Sequence, residues 1–409
     1  MKIHLHFSFF IFTFSLFVPI VSYAQFFRPS VLLAPYAVNA PDINSRAAVL
    51  IDVETGTLLF SKNPHEPIPP ASLVKVKTMY LLLNEIKAGR ACYDEIIPIT
   101  TASWAQSQPP RSSLMFLEPG QIVKLREILV GLAVPSGNDA AVATALRLAP
   151  TVDAFVELMN EEARRMGLVV TRFADTSGFS PDNLTTAAEF AYFCRRYLRQ
   201  HPQSLEYFHS IQEFAFPIAA NMPAASLRNP QTIVQHNRNS LLGTFPGVDG
   251  IKTGFIPQSG FNIALTAERD NTRFLAVTLG AESHQSRVAD GETLLSWAFE
   301  NFKTVRPANI EGLRLYARLW KGRAGSVELI PAHPPYFTSP VSRAQTLTME
   351  TFIPAPLVAP LPSGIIIGHL IFSDEYGELH RVSLLTAAAS ERGNIFRRIW
   401  HSILLLFRR

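Results

Sequence analysis

The stretch PPASLVKVKTMYLLL, residues 69–83, reads as an apolar helix that two prolines open and a few polar side chains interrupt. Ser72 stands at its start and Lys75 one turn further on. In one reading Ser72 caps the helix and Lys75 carries its amine out to water. In the other the pair is a nucleophile and its base. Three residues of helix rotate the chain by about 300°, so both side chains leave from nearly the same face, with the amine in reach of the hydroxyl. The N–H of Ser72 has no intrahelical carbonyl to meet and lies at the positive end of the dipole, where an oxyanion can be held. A lysine serves as base only when burial or a second cation depresses its pKa. Leu73, Val74, Val76 and Met79 supply apolar surroundings, and the second cation is to be sought elsewhere in the chain.

Two further stretches offer partners. In AVPSGNDAAVATAL, residues 133–146, Ser136-Gly137-Asn138 makes a tight turn between two helical runs, from which a hydroxyl and an amide can point into one cleft. In FPGVDGIKTGFIPQSGFNIAL, residues 245–265, Lys252-Thr253-Gly254 heads a strand, and Gly254 permits close approach of a substrate backbone. Each alone is a common turn or strand end. All three in this order form one constellation.

Composition sets the frame for that chemistry. With 409 residues, 47% of them hydrophobic, the chain can build a large catalytic unit and a smaller one. Its 37 basic and 33 acidic residues nearly balance and are spread along it except for basic clusters at the extreme C-terminus, a pattern that does not resemble a nucleic-acid footprint. The opening MKIHLHFSFFIFTFSLFVPIVSYAQ reads as a secretory leader over residues 1–24, cleaved after Ala24, because its apolar run is short and ends small-x-small. Export permits disulfides, and Cys92 and Cys194 fit either one bridge or two free thiols. The 11 histidines show no paired ligand spacing outside the leader, so no metal and no cofactor is predicted.

Between residues 25 and 303 the pattern mixes strands and helices. AAVLIDVETGTLLFSK gives two strands around a turn at Glu54-Thr55-Gly56, and RFLAVTLGA followed by GETLLSWAFENF gives a strand and then a helix. Helices over Ser72–Ala88, Lys124–Val134 and the run TVDAFVELMNEEARRMG lie between them. The expectation is an α/β (α+β) domain whose outer strands come from its two ends. From residue 304 to 388, Pro-rich connectors and alternating apolar runs, among them the hairpin GIIIGHLIFSDEYGELHRVSLL, predict a small all-β domain.

The last segment, 389–409, contains NIFRRIWHSILLLFRR. Ile395, Phe396, Ile399, Trp400, Ile403, Leu404 and Phe407 fall on one helical face, with Arg397, Arg398 and His401 largely opposite. Its 16 residues would reach about 24 Å, short of the roughly 30 Å of a bilayer core. Burying Arg397 and Arg398 at the bilayer centre would add about 2.5 to 3.5 kcal/mol each. A helix lying in the plane of a membrane surface is the expectation.

Ser72-x-x-Lys75, Ser136-Gly-Asn138 and Lys252-Thr253-Gly254 resemble the three signature motifs of the penicillin-binding proteins and serine β-lactamases. The wider context, PASLVKVKTMY, SGNDAAVA, NRNSLL and VDGIKTGF, is similar to the low-molecular-mass D-alanyl-D-alanine carboxypeptidases of peptidase family S11. That resemblance implies a β-lactamase/transpeptidase-like catalytic domain, a β domain and a terminal amphipathic helix. It implies that Ser72 attacks the bond between the two terminal D-alanines of a peptidoglycan stem peptide, with Lys75 as base and Ser136 passing the proton to the leaving amine. Asn138 would hold the substrate amide and Lys75, Lys252 would be the second cation, and Lys252 with Thr253 would attract the terminal carboxylate. Backbone N–H groups of Ser72 and Phe255 would form the oxyanion hole. Arg238 and Arg287 match family positions near the carboxylate. β-Lactam antibiotics would acylate Ser72, and the exported chain would sit at the periplasmic face of the cytoplasmic membrane as a peripheral protein.

Two rivals are weighed against this. A class A β-lactamase needs a Glu-x-x-x-Asn base that DTSGFSPDNLTTAAEF, residues 175–190, does not offer, and a class C enzyme has tyrosine where Ser136 stands. A non-catalytic peptidoglycan-binding module would be expected to have lost Ser72 or Lys75. An endopeptidase that cuts cross-links is chemically adjacent.

Overall fold

The computed structural model describes residues 40–407 apart from 224–230, 309, 311 and 344–345. The leader read in residues 1–24 lies outside the described residues.

The continuous apolar run Ala47-Ala-Val-Leu-Ile51, ending at Asp52, makes strand β1 (Ala47–Asp52), buried along its whole length. Ala47, Val49 and Ile51 enter one hydrophobic core and Ala48 and Leu50 another, as the two-residue period of a strand with both faces covered requires. A turn leads to β2 (Leu58–Lys62). Much later come β3 (Val248–Ile256), β4 (Gly260–Arg269) and β5 (Thr272–Ala281). The five strands form one antiparallel sheet in the order β2-β1-β5-β4-β3. The first and last strands therefore meet inside the sheet, with Val49 opposite Val277, and not at its edges as the sequence suggests. The reason lies in the β1–β2 hairpin, which puts the less buried β2 outermost and leaves the apolar β1 to be covered on both sides.

Helices fill the two faces. α1 (Val74–Lys87), α2 (Leu125–Ala133), α3 (Asn138–Leu148), α4 (Val152–Arg165) and α5 (Ala187–Gln200) cover one, through Met79, Leu129, Phe155, Phe190 and Phe193. α6 (His284–Asn301) covers the other with Leu294, Leu295 and Trp297. It begins two turns before the apolar run that signals it, because the Ser283 hydroxyl accepts the Ser286 N–H and caps it there.

α6 runs directly into β6 (Phe302–Val305), so the change of character at residue 303 falls inside a strand. The chain continues as β7 (Leu315–Trp320), β8 (Ser326–Pro331), β9 (Phe337–Pro340), β10 (Thr348–Phe352), β11 (Leu357–Val358), β12 (Ile366–Asp374) and β13 (Gly377–Thr386). β6 pairs with β9, and the rest form a sheet in the order β10-β12-β13-β8-β7-β11 around Leu329, Leu370, Phe372, Val382 and Leu384. The expected hairpin is the β12–β13 pair. Asp52 ties the two units together, since its buried carboxylate accepts from both Thr304 and Thr338 hydroxyls at 2.8 Å.

The chain ends in α7 (Ile395–Leu406), opened by Asn394, whose side chain accepts the Arg397 N–H. Its polar side is turned to the β unit: His401 Nδ1 accepts the Lys321 N–H at 2.8 Å and the Arg397 guanidinium donates to the Arg323 carbonyl. Its apolar side is left open, with Phe396 81% and Leu406 82% exposed. No described helix is long and apolar enough to cross a membrane. Cys92 is exposed and Cys194 buried, and both are free thiols.

Candidate active site

Ser72 lies on a 3-10 turn, Ala71–Leu73, that leads into α1, one step earlier than the α-helical start the sequence suggests. The turn packs against edge strand β3. A Cβ on Gly254 would come within 2.8 Å of the Pro70 carbonyl and 3.0 Å of the Ser72 nitrogen, so only glycine lets the strand approach this closely. Gly178 meets the turn from the opposite side, where a Cβ would overlap the Ala71 carbonyl.

Lys75 is fully buried, and its amine donates to Ser72 Oγ at 3.1 Å, Asn138 Oδ1 at 2.8 Å and the Ser177 carbonyl at 2.8 Å. Three acceptors suit the ammonium form; the neutral amine needs only two and keeps a lone pair for the serine proton. Burial holds its pKa down to about 7, opposed by Asp175 and Asp139 and assisted by Arg238. Arg238 thus adds a positive charge near Lys75 that sequence reasoning did not assign to this role, beside Lys252, the second cation it named, which is coupled to Lys75 by mutual repulsion. Lys252 is itself buried, donates to the Thr253 carbonyl, and is pushed well below the usual lysine range by burial first and then by Lys75, Arg238 and Arg287. The two amines repel, so protonation of one disfavours protonation of the other.

Asn138 opens α3, and its amide is fixed at both ends: Oδ1 on Lys75, Nδ2 on Ser112 Oγ at 3.1 Å. Ser136 sits two residues before it at a φ of 65°, an unusual conformation for a residue with a Cβ, and its buried hydroxyl meets no partner among the described residues. Behind the Lys252 strand, His209 is buried and its pKa is pushed down to about 3, chiefly by burial. The Ile251 carbonyl can only accept, so Nδ1 carries the proton and Nε2 accepts from Tyr197 at 2.7 Å.

Two clefts meet at Ser72. One, of about 690 Å³, is bordered by Pro110, Arg111, Phe179, Phe255, Ile256 and Gln258. The other, of about 560 Å³, is bordered by Ser136, Arg238, Thr253, Gly254, Phe261 and Arg287. All ten site residues named from sequence lie at this junction or directly behind it. Phe255 is half exposed and packs on Phe261 with ring centres 4.3 Å apart. Arg287 is buried over the face of the same ring, its pKa lowered to about 10 by burial and by Arg238, and its Nε has no partner among the described residues. No acidic side chain among the described residues borders this second cleft, so its cations are left for an anion.

Sequence reasoning missed the loop that supplies the third acceptor for Lys75. Asp175 gathers the N–H groups of Ser177, Gly178 and Ser180, and that shape delivers the Ser177 carbonyl to the amine. Such Asp-Ser-Gly clusters do announce turns, but nothing in their spacing names the target. It also missed Asp139, whose buried carboxylate accepts from the Met115 and Leu117 N–H groups and holds the 112–117 segment beside the site.

The family profile of the D-alanyl-D-alanine carboxypeptidases, peptidase S11, matches residues 34–283. The chain is 30% identical over 386 residues to D-alanyl-D-alanine carboxypeptidase DacC of Escherichia coli, covering 93% of each. It is 30% identical to DacA of the same organism, over 90% of this chain and 89% of that one. Among solved structures, penicillin binding protein 5 from Haemophilus influenzae superimposes with a TM-score of 0.77 at 28% identity, over 87% of this chain and all of that one.

Proposed function

This chain belongs to the D-alanyl-D-alanine carboxypeptidases of peptidase family S11, and from that premise we propose that Ser72 is the nucleophile of a serine-type carboxypeptidase. The substrate is a peptidoglycan stem pentapeptide, from which the terminal D-alanine is removed. The single observation that carries the reading is the buried Lys75 amine, 3.1 Å from Ser72 Oγ and depressed to about 7.

The terminal carboxylate enters the cleft of Arg238 and Arg287, with Thr253 beside it. Its negative charge favours the proton on Lys252 and leaves Lys75 neutral. Ser72 Oγ then attacks the carbonyl of the last peptide bond while Lys75 takes its proton. Charge develops on the carbonyl oxygen between the Ser72 and Phe255 N–H groups; losing one such donor typically lowers the rate about a hundredfold to a thousandfold. The C–N bond breaks as Ser136 passes its proton to the leaving amine and takes the proton that Lys75 holds in its place, and D-alanine departs. Lys75, neutral again, takes a proton from the water that cleaves the Ser72 ester. Penicillins acylate the same oxygen. The rival binding module has no use for a buried, neutral-leaning lysine on a serine, and the loop at Asp175 offers no acidic deacylation base of the β-lactamase kind.

Residues 1–24 serve as the leader, 25–303 carry the catalysis, 304–388 form the β unit, and 389–409 hold the exported protein at the periplasmic face of the cytoplasmic membrane. The exposed apolar side of α7 supports that last role. Mass spectrometry of a pentapeptide ending in D-Ala-D-Ala, incubated with the mature chain, tests the activity. Loss of one alanine with the native chain and none with Ser72→Ala is expected; an intact peptide in both rejects the reading.

A further inference from the structure

Pro109-Pro110-Arg111-Ser112 closes a tight turn, with the Ser112 N–H donating to the Pro109 carbonyl at 3.1 Å. Proline presets the second position of such a turn, and the third takes a positive φ that glycine fills without strain. Here Arg111 fills it, at a φ of 69°. A side chain held in this conformation against its preference points to a use for the side chain itself.

The turn's place is fixed by the catalytic machinery. Ser112 Oγ accepts from Asn138 Nδ2, and the Asn138 N–H donates to the Ser113 carbonyl at 2.7 Å. Arg111 is exposed at the junction of both clefts, and it forms no ion pair among the described residues. The leaving-group cleft already has Arg238 and Arg287 for the terminal carboxylate. In the acyl cleft the other bordering side chains are apolar or neutral, among them Pro110, Phe179, Phe255, Pro257 and Gln258, and Arg111 is the one charge there among the described residues.

We propose that Arg111 selects stem peptides that carry a free carboxylate on the side chain of the third residue, on the acyl side of the scissile bond. This rests on the carboxypeptidase reading. The penultimate D-alanine places its carbonyl at Ser72, so the third residue begins about 3.5 Å further along an extended chain, at the junction that Arg111 borders. A guanidinium there can grip a carboxylate through two parallel hydrogen bonds, which an amide or a plain lysine side chain does not offer.

Two synthetic pentapeptides ending in D-Ala-D-Ala test this, one with meso-diaminopimelate at the third position and one with the same residue amidated on its side-chain carboxyl. Alanine release is followed for the native chain, Arg111→Gln and Arg111→Gly; the glycine variant suits the positive φ and guards against a folding defect. The native ratio of kcat/KM, acid over amide, is expected at about tenfold, falling to near one in both variants. Release from both peptides without preference, or a ratio that survives both substitutions, overturns the inference alone. No release of alanine from either peptide by the native chain overturns the carboxypeptidase reading and the inference with it.

Discussion

The amine of Lys75 stands 3.1 Å from the hydroxyl of Ser72, and it is the same amine that Asn138 and the Ser177 carbonyl hold in place. Ser72 is positioned by a 3-10 turn and Lys75 by the first turn of α1, so the pair is rigid before substrate arrives. Such preorganisation leaves little to rearrange at the moment of proton transfer.

A pH dependence follows from the state of this amine. Acylation needs it neutral, and burial sets its pKa at about 7. The second-order rate of acylation by a penicillin is therefore expected to climb from pH 6, pass through its half-maximum near 7 and level off above 8. Lys75→Met, measured the same way, should be slower by about a hundredfold to ten-thousandfold. A native profile flat from pH 6 to 9 would remove Lys75 from the role of base.

Arg287 offers a separable test of the carboxylate site. Its guanidinium is buried, stacked on Phe261, and its Nε has no partner among the described residues. Arg287→Gln should raise KM for a peptide with a free terminal carboxylate about tenfold to a hundredfold, the range for losing a charged hydrogen bond. Acylation by a penicillin ester, which lacks that carboxylate, should change far less. Equal losses on both would make Arg287 structural.

Lys77 gives a stability prediction away from the chemistry. It is buried between the rings of Tyr80 and Phe193, with its nitrogen 4.0 Å from the Met166 sulfur, and burial lowers its pKa to about 7. The unfolded chain binds this proton more tightly than the fold does, so stability rises with pH between about 7 and 10.5. Between pH 7 and 9 that amounts to about 2 kcal/mol from one group. Lys77→Met should be more stable than the native chain at pH 7, by urea unfolding, and should lose this part of the pH slope. An unchanged slope would show that the amine is solvated.

The terminal helix makes its own prediction. Removing residues 394–409 takes away the exposed Phe396, Trp400, Leu406 and Phe407 without touching the clefts. The shortened mature chain should pass from the membrane fraction to the soluble one and turn over soluble peptide as before. Retention on membranes would point to a different attachment.

What the sequence discloses, and what it hides, divides along physical lines. Ser72 and Lys75 are three residues apart on one turn, so helical geometry alone brings them together, and the apolar run at Ala47–Ile51 before the Glu54-Thr55-Gly56 turn shows a strand. Asn138 and Lys252 show in the sequence only as a turn and a strand head; their link to Lys75, and Arg238 and Arg287 altogether, enter through motif resemblance, because spans of 63 residues and more leave no periodic trace. The Ser177 carbonyl is a backbone group, identical in every residue type, and it stayed hidden for that reason. The central pairing of β1 with β5 was equally invisible, since strand order is decided by which faces find helices to cover them.

The most direct measurement is to react the mature chain with benzylpenicillin, quench, digest, and locate the penicilloyl ester by mass spectrometry, with Ser72→Ala alongside. An adduct on the peptide that contains Ser72, absent from the variant, is the expected result. An adduct on another residue, or a folded native chain that takes up none, would contradict the assignment of Ser72 as the nucleophile.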